Sequence, residues 1–566
     1  MARKASSSRR PTSPPFIFEK DVSICVRDGV SLKADIFRPR KEGVFPAIVN
    51  LGPYQKDKVW IPPADLEEEA NPYMNWEVAN PVWWVPKGYA LVRIDTRGSG
   101  KSPGQTDLLS LQEAKDFYDA IEWTAKQSWS NGAVGTLGIS YFAINQWLVA
   151  TLKPPSLKAI IPWEGAADMY RDFCYHGGIF GLGFVSNWFA AHMAHHLLGQ
   201  PQNYNPDTFS KPMLWEYMRN SLDLDFYKGR QAVWDDVEVP MLSTGNWSGM
   251  GLHLRGNIEG YMRAKSKHKK LRVHSGTHFH PFHSHEGRAD QLRFFDHWLK
   301  GIDNGVMKEP PVKLQIRVGG ERDYKWRLEN EWPLARTEWT KFYLAPPESK
   351  SRETGALTKI KSKKETKFSY SASRTSKRAG TVAWSAQAFA SADQIGLSFE
   401  TAPLNSDTEV TGPVVLVLWA SSTTEDMDIF ATIRNIAPDG SDVLETGQQG
   451  QKVPVAKGWL RASHRNLDHA RSLPYRPYHS HDERRLLRPG EVVRLDVEIW
   501  PTCMVFKKGH RIRLDVQPCD GIGSAPYTHY SADYNTGANT IYVGGARLSH
   551  LLLPIIPAAA SKSRRR

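Results

Sequence analysis

Cysteine is scarce: four in 566 residues, at Cys25, Cys174, Cys503 and Cys519, far apart and without C-x-x-C spacing. That excludes a disulfide scaffold and a thiolate metal cluster, and it fits free, mostly buried thiols in a reducing compartment. No run of 18 or more apolar residues occurs, so a membrane-spanning helix is excluded. The first residues, M-A-R-K-A-S-S-S-R-R-P-T-S-P-P, have basic groups but no apolar stretch behind them, which excludes a secretory signal. Being rich in Arg and Ser, they leave only a weak organellar-targeting reading. A cytoplasmic protein is expected, with no membrane partner.

Both chain ends lack acids. Arg3, Lys4, Arg9, Arg10, Lys562, Arg564, Arg565 and Arg566 supply eight charges of a formal net +13. The basicity therefore sits largely in two Ser/Pro/Arg tails, 1–17 and 557–566, which read as solvated and disordered. No basic face on a recognisable module accompanies them, so no nucleic-acid partner is expected. Hydrophobic residues at 40% and charged residues at 23% give an ordinary globular balance. Twenty Trp and 37 Pro point to aromatic packing and ordered loops rather than a helical bundle.

Residues 20–50 alternate as antiparallel strands do, with a hairpin signal at Asp28-Gly29. Short apolar runs follow at Pro46–Leu51, Tyr89–Asp95, Val134–Gly138 and Lys158–Pro162, and suit strands buried on both faces. Helical spacing lies between them at 111–127 and 141–152, which implies parallel strands with right-handed crossovers. An aromatic-rich stretch at 166–235 breaks the rhythm and reads as an inserted helical cap. Strands return at 239–243 and 270–274, and a helix follows at 288–300. From 311 to 556 the pattern is period two, as in V-K-L-Q-I-R-V and V-V-R-L-D-V-E-I-W, and predicts an antiparallel sandwich or jelly roll. The Lys/Ser/Thr-rich stretch 348–380 reads as a solvated loop.

The chemistry concentrates at Gly138-Ile-Ser140-Tyr141-Phe142-Ala143, between a buried strand and a helix. A serine on such a turn has its hydroxyl pushed out of the sheet, and the Tyr141 amide and the helix N-terminus face a developing oxyanion. The bland alternative is an ordinary strand-to-helix turn. Phe142 stands where G-x-S-x-G has its second glycine.

The segment Q-S-W-S-N-G-A-V-G-T-L-G-I-S-Y from Gln127 to Tyr141 resembles the cocaine-esterase and X-Pro dipeptidyl-peptidase family of α/β-hydrolases. So do D-T-R-G-S-G-K-S-P-G from Asp95, T-G-P from Thr411, A-P-D-G from Ala437, G-W-L-R-A-S from Gly458 and K-G-H-R-I-R from Lys508. The resemblance spans roughly residues 20–555. It implies an α/β-hydrolase domain over 18–310, a mostly parallel sheet with flanking helices and a cap, followed by a C-terminal β-jelly-roll domain over 311–556. It also implies an oxyanion hole pairing the Tyr141 amide with the Tyr54 hydroxyl. Tyr54 as a mere packing aromatic is the alternative. The base falls on His278, with His280 close by in a loop that also holds His274, His283 and His285. A metal site at this histidine-rich loop lacks an H-E-x-x-H pattern and is set aside; the triplet His192, His195, His196 lacks that Glu too. No metal or organic cofactor is expected.

The acid departs from the family. Where it has G-W-x-D, this chain has Gly245-Asn-Trp-Ser-Gly249, and the acid position falls on Gly249. Glu164, directly after the strand that follows the nucleophile strand, is the substitute; a structural salt bridge near the cap is its alternative. Asp235 and Asp236 lie before their strand, at the wrong end of the sheet. The phosphate-loop look of Gly98–Ser102 fails because Asp95 stands where a glycine is required.

The expected activity is hydrolysis of a small-molecule carboxylic ester or amide through an acyl-enzyme, with the catalytic residues Ser140, His278 and Glu164 and the oxyanion pair Tyr54 and Tyr141. Tyr170, Phe173, Tyr175, Phe180, Trp188 and Phe189 of the cap are expected to line an apolar pocket. X-Pro peptidase activity is the alternative within the class. An acyltransferase and a catalytically silent binding protein are the alternatives outside it. A homodimer is left open.

Overall fold

The computed structural model describes residues 15–194, 213–320, 324–347, 354–372, 396–529 and 537–558. The first sheet contains β1 (Phe16–Cys25), β2 (Ser31–Pro39), β3 (Phe45–Gly52), β4 (Ala90–Asp95), β5 (Ser130–Ile139) and β6 (Leu157–Trp163). A short ribbon, β7 (Tyr175–His176) with β8 (Ile179–Phe180), stands apart. The sheet continues with β9 (Met241–Asn246), β10 (Lys269–His274), β11 (Val312–Arg317) and β12 (Tyr324–Glu329). Its order is β1-β2-β4-β3-β5-β6-β9-β10-β11-β12. From β4 through β11 every pairing is parallel. The middle strands read as continuous apolar runs because both faces are covered, as β3 and β4 show by being buried throughout. The Asp28-Gly29 turn joins β1 and β2 as a hairpin, pairing Cys25 with Ser31.

Two expectations change. The V-K-L-Q-I-R run at 312–317 was expected to open the β domain. Instead it lies parallel to β10, Leu271 opposite Val312, because its alternating apolar residues Val312, Leu314 and Ile316 add to the first core. The stretch 348–380, expected as a solvated loop, contains two of the strands below, at 355–358 and 366–371.

The all-β part comprises β13 (Glu338–Ala345), β14 (Gly355–Thr358), β15 (Thr366–Ser371), β16 (Leu397–Glu400), β17 (Thr408–Ser422), β18 (Asp428–Ile436), β19 (Glu445–Thr446), β20 (Lys452–Val453), β21 (Ala456–Arg461), β22 (Val493–Phe506), β23 (Arg511–Gln517), β24 (Ala538–Val543) and β25 (His550–Ile556). Pairing runs β17-β22-β21-β18-β23-β16-β14-β13-β25 and returns from β25 to β17, a closed ring of nine strands. The closure leaves no open edge in the ring. Its interior is a separate apolar core of residues such as Leu416, Leu418, Ile433, Leu495, Val497 and Leu514. The small ribbon β19–β20 lies outside the ring and projects its loop toward the first sheet.

Buried charges fasten the two parts together. Arg255, at the start of the helix Leu254–Arg263, donates to Asp172 of the cap at 2.8 Å and to Glu498 of β22 at 2.9 Å. Arg171 reaches Asp168, Asp223 and the carbonyl of His479. Breaking one partner of such a pair costs about 3–5 kcal/mol, because the other charge stays buried. Arg255 sits two residues from His253 and holds that stretch of chain in place.

Candidate active site

Ser140 lies between β5 and the helix Tyr141–Thr151, with φ 56° and ψ −113°. Its own N–H donates to the carbonyls of Trp163 and Glu164, at 3.0 and 3.1 Å. Eight non-glycine residues among those described have positive φ; three of them, Glu77, Ser140 and Glu164, bring side chains to one point. Backbone strain of this kind persists only where surrounding packing enforces it. The turn closes tightly because residue 138 is glycine: a Cβ there would lie 2.4 Å from the Phe142 Cβ. Gly138→Ala is therefore expected to destabilise the fold by about 1–3 kcal/mol, read as a lower denaturant midpoint.

The hydroxyl of Ser140 meets His253, its Oγ lying 3.2 Å from Nε2. His253 caps the helix Leu254–Arg263 after the turn that leaves β9. His278, after β10, does not hydrogen-bond Ser140. Its Nδ1–H donates to Glu164 at 2.8 Å and its Nε2–H to Glu77 at 3.1 Å. The two imidazoles stack, centroids 5.3 Å apart and planes 10° from parallel. His280, the alternative to His278, is half-buried and faces Glu67. Glu164 is wholly buried and accepts from His278, from the Asn246 amide at 3.1 Å and from the amide of Gln448. Gln448 comes from the loop between β19 and β20; the same nitrogen stands 2.9 Å from Nδ1 of His253.

Electrostatics separates the two histidines. Desolvation pulls the His278 imidazole down, but hydrogen bonds to Glu164 and Glu77 outweigh it and raise it to about 9. His278 rests as an imidazolium between two carboxylates. Desolvation, and then the neighbouring charge of His278, push His253 well below the usual range, so it is neutral.

Tyr54 is buried, and the indole N–H of Trp188 donates to its hydroxyl oxygen at 2.9 Å. Burial, with the nearby Glu77 carboxyl, raises the phenol far above its ordinary range and keeps its proton on. The Tyr141 hydroxyl turns away and donates to Glu113, leaving the backbone N–H as what this residue offers the site. As the first residue of its helix, that N–H has no intrahelical acceptor. Among the cap aromatics, Tyr170 and Tyr175 stack on each other at 5.0 Å and bond to backbone carbonyls. They form packing rather than a pocket wall, and it is Trp188 that reaches Tyr54. His192 lies beside Trp76; His195 and His196 fall outside the described residues.

Glu164, His253 and His278 offer ligand atoms within 4.8 Å of one another, a separation a metal ion could bridge. Both nitrogens of each histidine already face hydrogen-bond partners, and so does Glu164 Oε2. A cation would have to displace the Gln448 amide and the proton between His278 and Glu164. The donor set is that of a hydrogen-bond network.

His253, Glu77 and Gln448 were not found from the sequence. His253 lies four residues beyond Gly249, with no motif of its own to mark it. Gln448 lies 195 residues beyond His253 in another domain, with no local signal.

A serine at a strained strand-to-helix turn, on a parallel sheet of this order, with imidazoles and a buried carboxylate behind it, defines a serine hydrolase. The description "X-Pro dipeptidyl-peptidase (S15 family)" matches residues 28–280, and "X-Pro dipeptidyl-peptidase C-terminal non-catalytic domain" matches 304–552. A crystal structure of a CocE/NonD family hydrolase from Staphylococcus aureus is 32% identical, with TM-score 0.84 over 96% of this chain and 94% of that one. The chain belongs to this family of CocE/NonD and X-Pro dipeptidyl-peptidase-type hydrolases. Cocaine esterase of Rhodococcus sp. is 24% identical over 95% of this chain and 98% of its own length. An α-amino acid ester hydrolase, 18% identical with TM-score 0.71, shares the fold. No helix among the described residues is long and apolar enough to cross a membrane.

Proposed function

We propose that the chain hydrolyses a carboxylic ester through an acyl-enzyme on Ser140, with His278 as base, Glu164 as its orienting acid, and Tyr54 with the Tyr141 amide as oxyanion donors. The observation that carries this is the strained Ser140 turn facing an imidazole pair backed by a buried carboxylate. His278 has what a base needs at Nδ1, a carboxylate at 2.8 Å that fixes the tautomer with Nε2 as the reactive nitrogen. In the resting arrangement Nε2 is held by Glu77 and Ser140 by His253, so both contacts exchange when substrate enters.

Once His278 has released its Nε2 proton to solvent and is neutral, the Ser140 proton passes to the bare Nε2 as Oγ bonds to the ester carbon. The carbonyl oxygen, now negative, takes hydrogen bonds from the Tyr54 hydroxyl and the Tyr141 amide. Collapse breaks the bond to the alcohol, which leaves with the proton from His278, and water repeats the sequence to release the acid. The β domain, read as a jelly roll closed into a ring, contributes Gln448 and Tyr527 to the centre. Cys25, Cys174, Cys503 and Cys519 form no disulfide with one another, which supports an intracellular setting.

Fluorophosphonate labelling of the purified protein tests the reading. Ser140 should be labelled in the wild type and not in Ser140→Ala. Labelling should slow by roughly a hundredfold or more in His278→Ala, and by only about tenfold in His253→Ala. If His253→Ala abolishes labelling while His278→Ala keeps the wild-type rate, His253 is the base. Cleavage of p-nitrophenyl acetate against glycyl-prolyl-p-nitroanilide separates an esterase from an X-Pro peptidase.

A further inference from the structure

Gln448 is buried, at 2% exposure, and every polar atom of its side chain is engaged. Its amide nitrogen meets Glu164 Oε2 and His253 Nδ1, and its carbonyl oxygen accepts from the Tyr527 hydroxyl at 3.2 Å. Its backbone carbonyl also accepts from the N–H of His278 at 2.9 Å. One residue of the β domain thus touches both histidines and the carboxylate.

The orientation of that amide is not arbitrary. A carboxylate only accepts hydrogen bonds, so Glu164 must face the amino group of Gln448 rather than its carbonyl. The second N–H of the same group then points at His253 Nδ1. A nitrogen that accepts a hydrogen bond carries no proton, so neutral His253 has its proton on Nε2, the atom facing Ser140. We infer that Gln448 is a positioning residue that fixes the tautomer of His253, making this histidine a hydrogen-bond donor to Ser140 Oγ instead of a proton acceptor. The inference rests on Ser140 being the nucleophile only for its catalytic consequence; the tautomer stands on the geometry alone.

Space for this arrangement depends on Gly249. A Cβ there would lie 3.1 Å from the Gln448 amide nitrogen and 3.2 Å from its Cδ, a contact the amide relieves only by moving. Glycine at 249 and glutamine at 448 therefore belong together: the first leaves the room that the second fills from the other domain.

The test is proton-detected NMR of the full chain labelled with [15N]histidine, with His253 resonances identified by their loss in His253→Asn. In the wild type Nε2 should be protonated and Nδ1 bare. In Gln448→Glu, whose carboxylate accepts, the proton should move to Nδ1. In Gln448→Met, which has neither donor nor acceptor, both tautomers should appear. Gly249→Ala should shift the populations in the same direction as Gln448→Met with the Gln448 side chain still present. With p-nitrophenyl acetate, kcat of Gln448→Met should fall on the order of tenfold with KM within about twofold, since the change acts on the reacting hydroxyl and not on substrate binding. A proton on Nδ1 in the wild type, or an unchanged tautomer in both Gln448 variants, overturns the inference. If Ser140 stays unlabelled by fluorophosphonate in the wild type while the tautomer behaves as stated, the nucleophile assignment fails and the role of Gln448 in setting the tautomer survives.

Discussion

Glu164→Gln should lower kcat/KM for an activated ester by about a thousandfold or more while the protein stays folded. The substitution keeps volume and shape but exchanges an acceptor-only group for one with an amino end. Glu164 now accepts from His278, Gln448 and Asn246. An amide at this position turns one donor against another, and one of those three N–H groups is left facing an N–H in a buried site. The His278 ring then loses the anion that holds Nδ1 protonated, and with it the tautomer and orientation needed to offer Nε2 to Ser140. His253 is affected too, since Gln448 is oriented by the same carboxylate. An unpaired buried donor costs about 1–3 kcal/mol, so some stability goes as well, read as a lower melting temperature. Full activity in a well-folded Glu164→Gln protein would reduce Glu164 to a structural ion-pair partner of the histidines.

Much of this site was legible in the chain because it is built from local signals. The G-I-S-Y turn, the apolar run before it and the helical spacing after it lie within about twenty residues, and they fix where Ser140 stands. Glu164 was reachable by counting one strand further along the sheet, and His278, with His280 as its alternative, through the family resemblance in the loop after β10. What escaped depends on contacts that sequence spacing does not encode. His253 reaches Ser140 because a helix begins there and Arg255 clamps it between the cap and β22. Gln448 arrives from a ribbon outside the β ring. Glu77 looks like an ordinary loop acid; it matters because a backbone at φ 61° turns it inward, where its carbonyl also accepts from Ile139 beside the nucleophile. The strand at 312–317 was misplaced for a related reason. Its alternating pattern is that of a half-buried strand in either sheet, and the choice between them is made by the side-by-side register with β10.

Activity should climb with pH through neutrality and level off only near pH 9. As the proposed base, His278 must be neutral to accept the Ser140 proton, and its imidazolium is held up to about 9 by Glu164 and Glu77 against the opposing pull of desolvation. Below that value each pH unit should lower kcat/KM by about tenfold, the slope of a single essential base. Glu77→Gln removes one of the two anions and keeps the shape. The limb should then move to lower pH and the rate at pH 7 should rise, an uncommon gain for a substitution at a catalytic centre. Stability should move the other way. His278 has a folded value above its ordinary 6.5, so its pairing stabilises the fold fully below about pH 6.5, and that contribution is lost as pH rises through about 9. Glu77→Gln should accordingly melt below the wild type at pH 6, and the difference should shrink by pH 10. A pH–rate profile and melting curves on the two proteins read both effects. If the rate limb stays where it is while stability falls, Glu77 is a structural partner only and another group sets the titration. If the limb shifts and stability falls together, the same carboxylate that holds His278 away from Ser140 at rest also sets the pH at which the enzyme works.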